Sequence, residues 1–192
     1  MVWINPEKKT ATVLTIAGLD PSGGAGIAAD LKTIAAIGLH GACVITTLTV
    51  QNTQGVYRVK LIDHEFIKEQ IESIISDLMV KAIKIGVLYS SQSIHVISEE
   101  IKNLGVSIVL DPVLVSTTGQ KLIEDDAIST LINDLFPLTT LITPNKNEAE
   151  RLTNIRINSI DEARKAAREL ADYGPRAVLI KGGHIEGTFS TD

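Results

Sequence analysis

Apolar runs of strand length alternate along this chain with segments in which apolar residues recur at helical spacing. Most of these runs are continuously apolar, which is typical of strands that helices cover on both faces of a parallel sheet. Strand and helix in regular alternation, with short connections, predict an α/β domain with a three-layer, doubly wound, mainly parallel sheet. The predicted strands are residues 12–17, 42–48, 82–85, 107–110, 140–142 and 177–180.

Helix starts and one atypical segment complete the pattern. Ser159 and Glu162 have the spacing of a capping box, and Gly174 ends the helix that follows them. The alternating segment 55–62 predicts a strand with one solvated face, either a lid or an edge. Asp63 is placed to cap another helix, whose buried stripe would be Ile67, Ile71, Ile74, Ile75 and Leu78.

Composition narrows the possible partners. A chain of 192 residues suits a single domain over 1–192. An aromatic content of 4% and a formal net charge of −5 argue against nucleic-acid binding. No apolar run is long enough to cross a bilayer and no secretory leader is visible, which favours a cytoplasmic protein that does not bind membranes. The single cysteine, Cys43, excludes an internal disulfide framework and fits a reducing compartment.

A glycine-rich segment, residues 17–26, follows the first predicted strand and opens a helix. Free backbone N–H groups at a helix start favour an anionic or hydrogen-bond-accepting ligand. Gly24 and Gly26 fit a loose dinucleotide fingerprint, but the turn before them is too long. Gln51 and Asn52 also stand after the second strand where that motif has an acid. A nucleoside-triphosphatase P-loop is disfavoured because no Gly-Lys-Ser/Thr follows the glycines.

Two polar residues near this loop have both a structural and a functional interpretation. The Gln51 side-chain amide can donate and accept, which suits the edge of a heterocycle, but the segment that it opens also suits a turn. Asp30 lies one helical turn beyond Gly26. It is either a solvated helix charge or a contact to a ligand.

Three later motifs also follow predicted strands. Asp111 is placed at the carboxyl edge of the sheet, where metal or phosphate chemistry belongs, with a simple Asx turn as the alternative. Asn145 and Glu148 are one helical turn apart, which suits Mg²⁺ beside phosphate oxygens, a helix cap, or both. Lys181 and Gly182 begin a Lys-Gly-Gly-His segment that suits either a phosphate contact or a turn.

Taken in order, these motifs closely resemble the hydroxymethylpyrimidine/phosphomethylpyrimidine kinases of thiamine biosynthesis, a ribokinase-like family. The resemblance runs from about Val13 to His184 and rests on A-G-x-D-P-S-G-G-A-G-I, A-D-L-K-T, Q-N-T, K-I-G, D-P-V, T-P-N-x-x-E and K-G-G-H. It implies a ribokinase-like fold and ATP-dependent, Mg²⁺-assisted phosphorylation of a hydroxymethylpyrimidine and then of its monophosphate. Pyridoxine kinases share several of the motifs, so a pyridoxine or pyridoxal kinase is an alternative.

The resemblance also implies residue roles. The pyrimidine substrate would lie beside Gly18, Ala25, Asp30, Gln51, Val87 and Val113, with Asp30 and Gln51 hydrogen-bonding the aminopyrimidine edge. Asn145, Lys181 and Gly182 would contact ATP, and Asp111 and Glu148 would organise Mg²⁺.

The family pattern continues past Lys-Gly-Gly-His to a Gly-Thr-Gly-Cys helix start that this chain does not contain. The resemblance therefore predicts a C-terminally incomplete domain, leaves the catalytic residue unknown and predicts low activity for the chain as it stands. A non-catalytic pyrimidine-binding domain is a further alternative. The resemblance also implies a homodimer.

Overall fold

A single mixed sheet organises the protein. The computed structural model describes residues 11–116, 119–182 and 191–192. Apolar, β-branched runs form its strands, as expected for a sheet buried between helices. The strands are β1 (Ala11–Leu19), β2 (His40–Asn52), β3 (Gly55–Leu61), β4 (Met79–Ile85), β5 (Ser107–Leu110) and β6 (Leu141–Ile142).

Helices connect these strands and cover the sheet. They are α1 (Gly26–Ala36), α2 (His64–Asp77), α3 (Ser91–Ile101), α4 (Ala127–Thr130), α5 (Lys146–Thr153) and α6 (Ile160–Asp172). A π-turn at Leu131–Leu135 and a 3-10 turn at Phe136–Leu138 extend α4 towards β6. Asp63 caps α2 by accepting from the Glu65 N–H, and Ile67 and Ile71 of its apolar stripe are fully buried.

The strand order is β3-β2-β1-β4-β5-β6, and every pairing except that of β2 with β3 is parallel. The chain moves from β1 to β2 in one direction and from β4 to β5 in the other. Right-handed crossovers therefore place α1 on one face and α3 on the opposite face, which confirms the three-layer, doubly wound fold. The order reverses between β1 and β4, and ligands bind at such a switch point in open α/β sheets.

Most predicted strands are confirmed, with informative differences at their ends. β1 and β2 are both longer than the predicted apolar runs. In β2 the extension to Asn52 follows from its antiparallel pairing with β3. The alternating segment is indeed an edge strand. The predicted strand at 177–180 is wrong as a regular strand. Instead, isolated parallel bridges join Val178 to Ile142 and Lys181 to Asn145.

The core lies on both faces of the central strands. Leu14 and Ile16 of β1, Val44 of β2 and Ile83 and Ile85 of β4 are fully buried. Burying each such side chain stabilises the fold by roughly 1.5–3 kcal/mol. These rigid strands fix the positions of the loops at their carboxyl ends.

Candidate active site

The carboxyl ends of β1, β2, β4 and β5 surround a cavity of about 310 Å³ at the switch point of the sheet. All of the predicted site residues line this cavity except Asp30 and Gly182, and the lining further includes Asp20, Thr49, Val56 and Lys84. The predicted residues that line it are Gly18, Ala25, Gln51, Val87, Asp111, Val113, Asn145, Glu148 and Lys181.

Asp20 organises the glycine-rich loop, a role that the sequence analysis did not assign to it. Its carboxylate is 4% exposed and accepts from Ser22 N–H at 2.8 Å, Ser22 Oγ at 2.7 Å, Gly24 N–H at 3.1 Å and Ala25 N–H at 3.0 Å. Burial alone would raise the pKa of Asp20, but these hydrogen bonds together hold the pKa below its ordinary value. The Asp-Pro-Ser-Gly segment, typical of an Asx turn, was the signal for this role.

Gly26 closes the same loop against β1. Its φ is +55°, and a Cβ at this position would collide with the carbonyl oxygen of Gly18. An isolated antiparallel bridge between Leu19 and Gly26 fixes the contact. Both the positive φ and the close approach to the Gly18 carbonyl therefore require glycine at this position.

Gln51 lies at the end of β2, on the wall formed by the β2–β3 hairpin. The Thr49 hydroxyl lies 3.2 Å from Gln51 Oε1 and 2.9 Å from the Leu19 carbonyl oxygen. A hydroxyl has one proton, so Thr49 donates to only one of these two oxygens at a time, and the shorter contact is the one to Leu19. An amide at the cavity wall is suited to a ligand edge that presents a donor beside an acceptor.

Asp30 lies outside the described lining of the cavity, on α1. Its Oδ2 accepts from the Thr15 hydroxyl at 2.6 Å and from Lys84 Nζ at 2.8 Å. The Asp30 side chain is 18% exposed. The sequence interpretation as a freely solvated helix charge is therefore wrong: Asp30 is paired with a lysine that does line the cavity.

Charged groups gather on the β5 side of the cavity. Lys181 Nζ lies 2.8 Å from Asp111 Oδ1, and the Thr143 hydroxyl lies 3.5 Å from the same oxygen. The Lys181 backbone N–H donates to the Pro144 carbonyl, so the segment after α6 lies beside the end of β6. Gly182 donates its N–H to Asp192 Oδ1 at 2.9 Å, whereas the predicted Gly183 and His184 lie outside the described residues.

Asn145 and Glu148 form the capping box of α5. Asn145 Oδ1 accepts from the Glu148 N–H at 2.9 Å, and Glu148 Oε2 accepts from the Asn145 N–H at 2.7 Å. Both residues nevertheless line the cavity, so the cap and the ligand interpretation are compatible. Glu148 is 5% exposed, and its burial, with the nearby charge of Asp111, raises its pKa above the ordinary value.

A second cavity of about 390 Å³ adjoins the first on the α5 side. The two share Val115, Ser116, Asn145 and Glu148, and Arg151 lines the second one only. The shared residues make Asn145 and Glu148 the boundary between two compartments. This division suits a site in which two small molecules meet.

Metal-binding capacity in the described part of the chain is limited. No group of three or more His, Cys, Asp or Glu residues there could hold a metal ion without help. Asp111 and Glu148 both reach the cavity, and Mg²⁺ in kinases is commonly held by one or two carboxylates together with substrate phosphates and waters. The residues present therefore fit a Mg²⁺ that arrives with a nucleotide. Among the described helices, none is long and apolar enough to span a membrane.

A heterocycle-sized cavity, a glycine-rich loop closed against a helix start and carboxylates suited to Mg²⁺ lie at one edge of a doubly wound sheet. This combination defines a phosphotransferase that acts on a small molecule. The family described as phosphomethylpyrimidine kinase matches residues 20–192 of the chain. The chain belongs to this family.

Individual relatives agree with this assignment. A hydroxymethylpyrimidine/phosphomethylpyrimidine kinase from Rhizobium meliloti is 45% identical over 185 residues, which are 95% of this chain and 69% of the relative. A thiamine biosynthesis bifunctional protein from Geobacter sulfurreducens is 43% identical over 94% of this chain, which spans only 37% of that protein.

Solved structures give the same result for the fold. The crystal structure of a phosphomethylpyrimidine kinase from Clostridium difficile superimposes with a TM-score of 0.85 at 45% identity, covering 92% of this chain and 77% of the other. A pyridoxal kinase from Bacillus subtilis in complex with ADP superimposes with a TM-score of 0.82 at 32% identity, over 93% and 67% of the two chains. The fold is therefore shared by pyrimidine kinases and pyridoxal kinases.

Proposed function

We propose that this chain binds 4-amino-5-hydroxymethyl-2-methylpyrimidine and ATP and transfers the γ-phosphoryl group to the hydroxymethyl oxygen, and then to the resulting monophosphate. One observation supports the proposal most strongly. In a member of the phosphomethylpyrimidine kinase family, a single cavity combines the Gln51 amide with the charged group Asp111, Glu148 and Lys181. The Gln51 amide suits the heterocycle, and the charged group suits the phosphates.

On the pyrimidine side, Gln51 would hydrogen-bond the exocyclic amino group and its neighbouring ring nitrogen. These two atoms present a donor beside an acceptor, which an amide matches in both functions. Gly18 and Ala25 would contribute backbone to the floor of the pocket, and Val87 and Val113 would pack against the ring. Asp30 would act on this subsite through Lys84, to which it is paired.

On the phosphate side, Lys181 would neutralise phosphate charge, and Asn145 and Gly182 would lie along the nucleotide. Asp111 and Glu148 would hold Mg²⁺, which supplies charge neutralisation at the phosphates when bound. The second cavity, bounded by Asn145 and Glu148, would take the nucleotide. Phosphoryl transfer depends mostly on such positioning and electrostatic stabilisation, so alignment across this boundary would decide the rate.

Pyridoxal phosphorylation is a second candidate. It is favoured by superposition on the Staphylococcus aureus pyridoxal kinase bound to pyridoxal, with a TM-score of 0.82 at 32% identity. The identity to the Clostridium difficile pyrimidine kinase is higher, at 45%, and this difference favours the pyrimidine.

We also propose a homodimer in the cytoplasm. The β2–β3 hairpin leaves apolar side chains in solvent, with Val50 50% exposed, Tyr57 64% exposed and Leu61 41% exposed. Exposed apolar surface on an edge hairpin is a common contact between copies of a chain. Sedimentation of the protein with and without a Tyr57→Glu substitution tests this. A wild-type protein that sediments as a monomer at all concentrations would contradict the dimer.

The decisive experiment combines mass and turnover on the natively expressed protein. Intact mass would be measured first, followed by ATP-dependent phosphorylation of the hydroxymethylpyrimidine, its monophosphate and pyridoxal on the same sample. Formation of the pyrimidine mono- and diphosphates supports the proposal. Preferential phosphorylation of pyridoxal would replace it with the second candidate, and pyrimidine binding without turnover would indicate a ligand-binding domain.

A further inference from the structure

Lys84 is a charged residue inside a central strand, between the buried Ile83 and Ile85. Placing an ammonium there is costly unless it has partners, so its retention requires an explanation. Asp30 Oδ2 accepts from Lys84 Nζ at 2.8 Å and from the Thr15 hydroxyl at 2.6 Å. The carboxylate is therefore held between two donors and fixes the end of the lysine side chain.

Register places this ammonium below the cavity. Thr15 and Lys84 are paired residues of the parallel strands β1 and β4, so their side chains leave the same face of the sheet. Of the group Thr15, Asp30 and Lys84, only Lys84 lines the cavity. A Cβ on Gly86 would lie 3.1 Å from Lys84 Nζ, so the glycine keeps the ammonium uncovered.

The ammonium has unused donors that face this space. A lysine ammonium has three N–H groups, and within the described ranges Asp30 is the one residue that accepts from it. The paired carboxylate cancels the positive charge locally. A neutral acceptor on a ligand therefore matches Lys84 better than a second anion does.

Lys84 and Gln51 line the same cavity from strands that lie on either side of β1. In register, Lys84 is level with Cys43 of β2, and Gln51 lies eight residues further towards the carboxyl end of that strand. Lys84 therefore reaches the cavity from β4 and Gln51 from the β2–β3 hairpin, so a ring bound in the cavity would present different edges to the two side chains. The charged group around Asp111 lies further along, beyond β4.

We propose that Lys84 is a specificity-determining residue that donates a hydrogen bond to the ring nitrogen of the pyrimidine on the edge away from Gln51. Asp30 is its positioning residue and does not itself contact the ligand. The inference rests on the proposed function, because it assumes that Gln51 hydrogen-bonds the amino group and the adjacent ring nitrogen. The second ring nitrogen then points towards β4.

The test compares two ligands in direct binding measurements by calorimetry. One is the hydroxymethylpyrimidine, and the other is 2-amino-3-hydroxymethyl-6-methylpyridine, which replaces only the second ring nitrogen with C–H. Both are measured at a pH where they are uncharged. Wild-type protein should bind the pyrimidine roughly 10- to 100-fold more tightly, the range expected for loss of a hydrogen bond to a charged donor.

Variants assign this preference to Lys84. Lys84→Met should bind the two ligands equally, and Asp30→Asn should reduce the preference without abolishing it. The double variant Asp30→Asn/Lys84→Met removes both charges and so guards against unfolding caused by an unpaired carboxylate. Lys81→Met, at an exposed position of the same strand, is the matched control and should retain the full preference.

The outcomes separate this inference from the function that it deepens. Wild-type binding of the pyrimidine without preference over the pyridine, or equal weakening of both ligands in Lys84→Met, would overturn the role of Lys84 alone. Failure of the wild-type protein to bind the pyrimidine at all would overturn the proposed function and this inference together. Loss of the preference in Lys84→Met but not in Lys81→Met supports the inference.

Discussion

Lys181 Nζ lies 2.8 Å from Asp111 Oδ1, although 70 residues separate them along the chain. The two reach each other because Asp111 follows β5, while Lys181 follows a segment that bridges to the end of β6, the neighbour of β5. The pair places a fixed cation and a carboxylate on the phosphate side of the cavity. Its partly exposed side chains make it a weak contributor to stability and a strong candidate for chemistry.

Substitution of Lys181 should therefore affect turnover more than binding of the pyrimidine. Lys181→Met removes a cation that would stabilise charge in the transition state, so we expect kcat to fall roughly 100-fold or more. The pyrimidine Kd should change less than about threefold, because the site proposed for the ring is on the other side of the cavity. Steady-state kinetics and calorimetry on the same preparation measure both. Lys165→Met, an exposed lysine on α6, is the control.

Gln51→Ala should weaken pyrimidine binding much more than ATP binding. Loss of an amide that makes two hydrogen bonds corresponds to about 10- to 100-fold in Kd. The exposed Gln54 of the same hairpin does not line the cavity, so Gln54→Ala should bind both ligands normally. Equal losses for pyrimidine and ATP in Gln51→Ala would remove the role assigned to Gln51.

Glu148 makes the stability of the protein depend on pH. Because its pKa is raised in the folded state, the native protein binds more protons there than the unfolded chain does. Stability should therefore fall as the pH rises from about the ordinary glutamate pKa of 4.3 through the raised value. Glu148→Gln keeps an acceptor for the Asn145 N–H and removes the titration. Urea denaturation of both proteins across this range should show the wild type losing stability relative to the variant as pH rises.

The same measurement with Mg²⁺ and ATP present tests the ligand role of Glu148. A bound cation favours the ionised carboxylate, so ligand should stabilise the wild type more than Glu148→Gln at neutral pH. Equal stabilisation of the two proteins would argue that Glu148 is a helix cap alone.

Even the conservative substitution Asp20→Asn should destabilise the protein. In Asp20→Asn one oxygen is replaced by an NH₂ group, which cannot accept from Gly24 and Ala25, or alternatively from Ser22. We expect a loss of about 1–3 kcal/mol in the free energy of unfolding. Since the pKa of Asp20 is lowered on folding, this contribution should disappear as the pH falls below about 3.9, the ordinary aspartate value. Asp77→Asn, at an exposed helix end, should not show this loss.

Gly38 and Gly26 both have a positive φ, so alanine substitutions at the two positions distinguish the cost of backbone strain from the cost of a steric clash. Gly38 has φ +79° and no atom within 4 Å of an added Cβ, so Gly38→Ala should cost only about 1–2 kcal/mol of backbone strain. Gly26 has φ +55°, and its added Cβ would also meet the Gly18 carbonyl, so Gly26→Ala should be clearly more destabilising. Equal melting temperatures for the two variants would contradict the close approach.

The sequence predicted most of the fold because its signals were local. Continuous apolar runs located β1, β2, β4 and β5, and the Asp63 cap and α2 stripe followed from spacing within a few residues. The capping box proposed at Ser159 was nearly right. Ser159 accepts from the Glu162 N–H, but Glu162 Oε2 takes the Asn158 N–H rather than that of Ser159.

What the sequence did not predict depends on long-range pairing. The ion pair of Lys84 with Asp30 spans 54 residues and follows from the register of β1 with β4, which no local pattern specifies. A lysine within the predicted apolar run 82–85 was the available signal. The predicted strand 177–180 forms only isolated bridges, because its neighbour β6 has just two residues. The apolar run itself does not show how long the neighbouring strand is.

The β2–β3 hairpin gives the site one wall that is built differently from the others. Val56 brings β3 into the cavity lining, yet β3 is an edge strand held to the rest of the sheet by β2 alone. The remaining walls belong to β1, β2 and β4, which are paired on both sides, and to the loops and the α5 start that follow the inner strands. Variation in substrate size can therefore accumulate in this hairpin while the phosphate side stays constant. A designer who wishes to graft a new ring preference onto this scaffold should begin by exchanging residues 51–58 as a cassette.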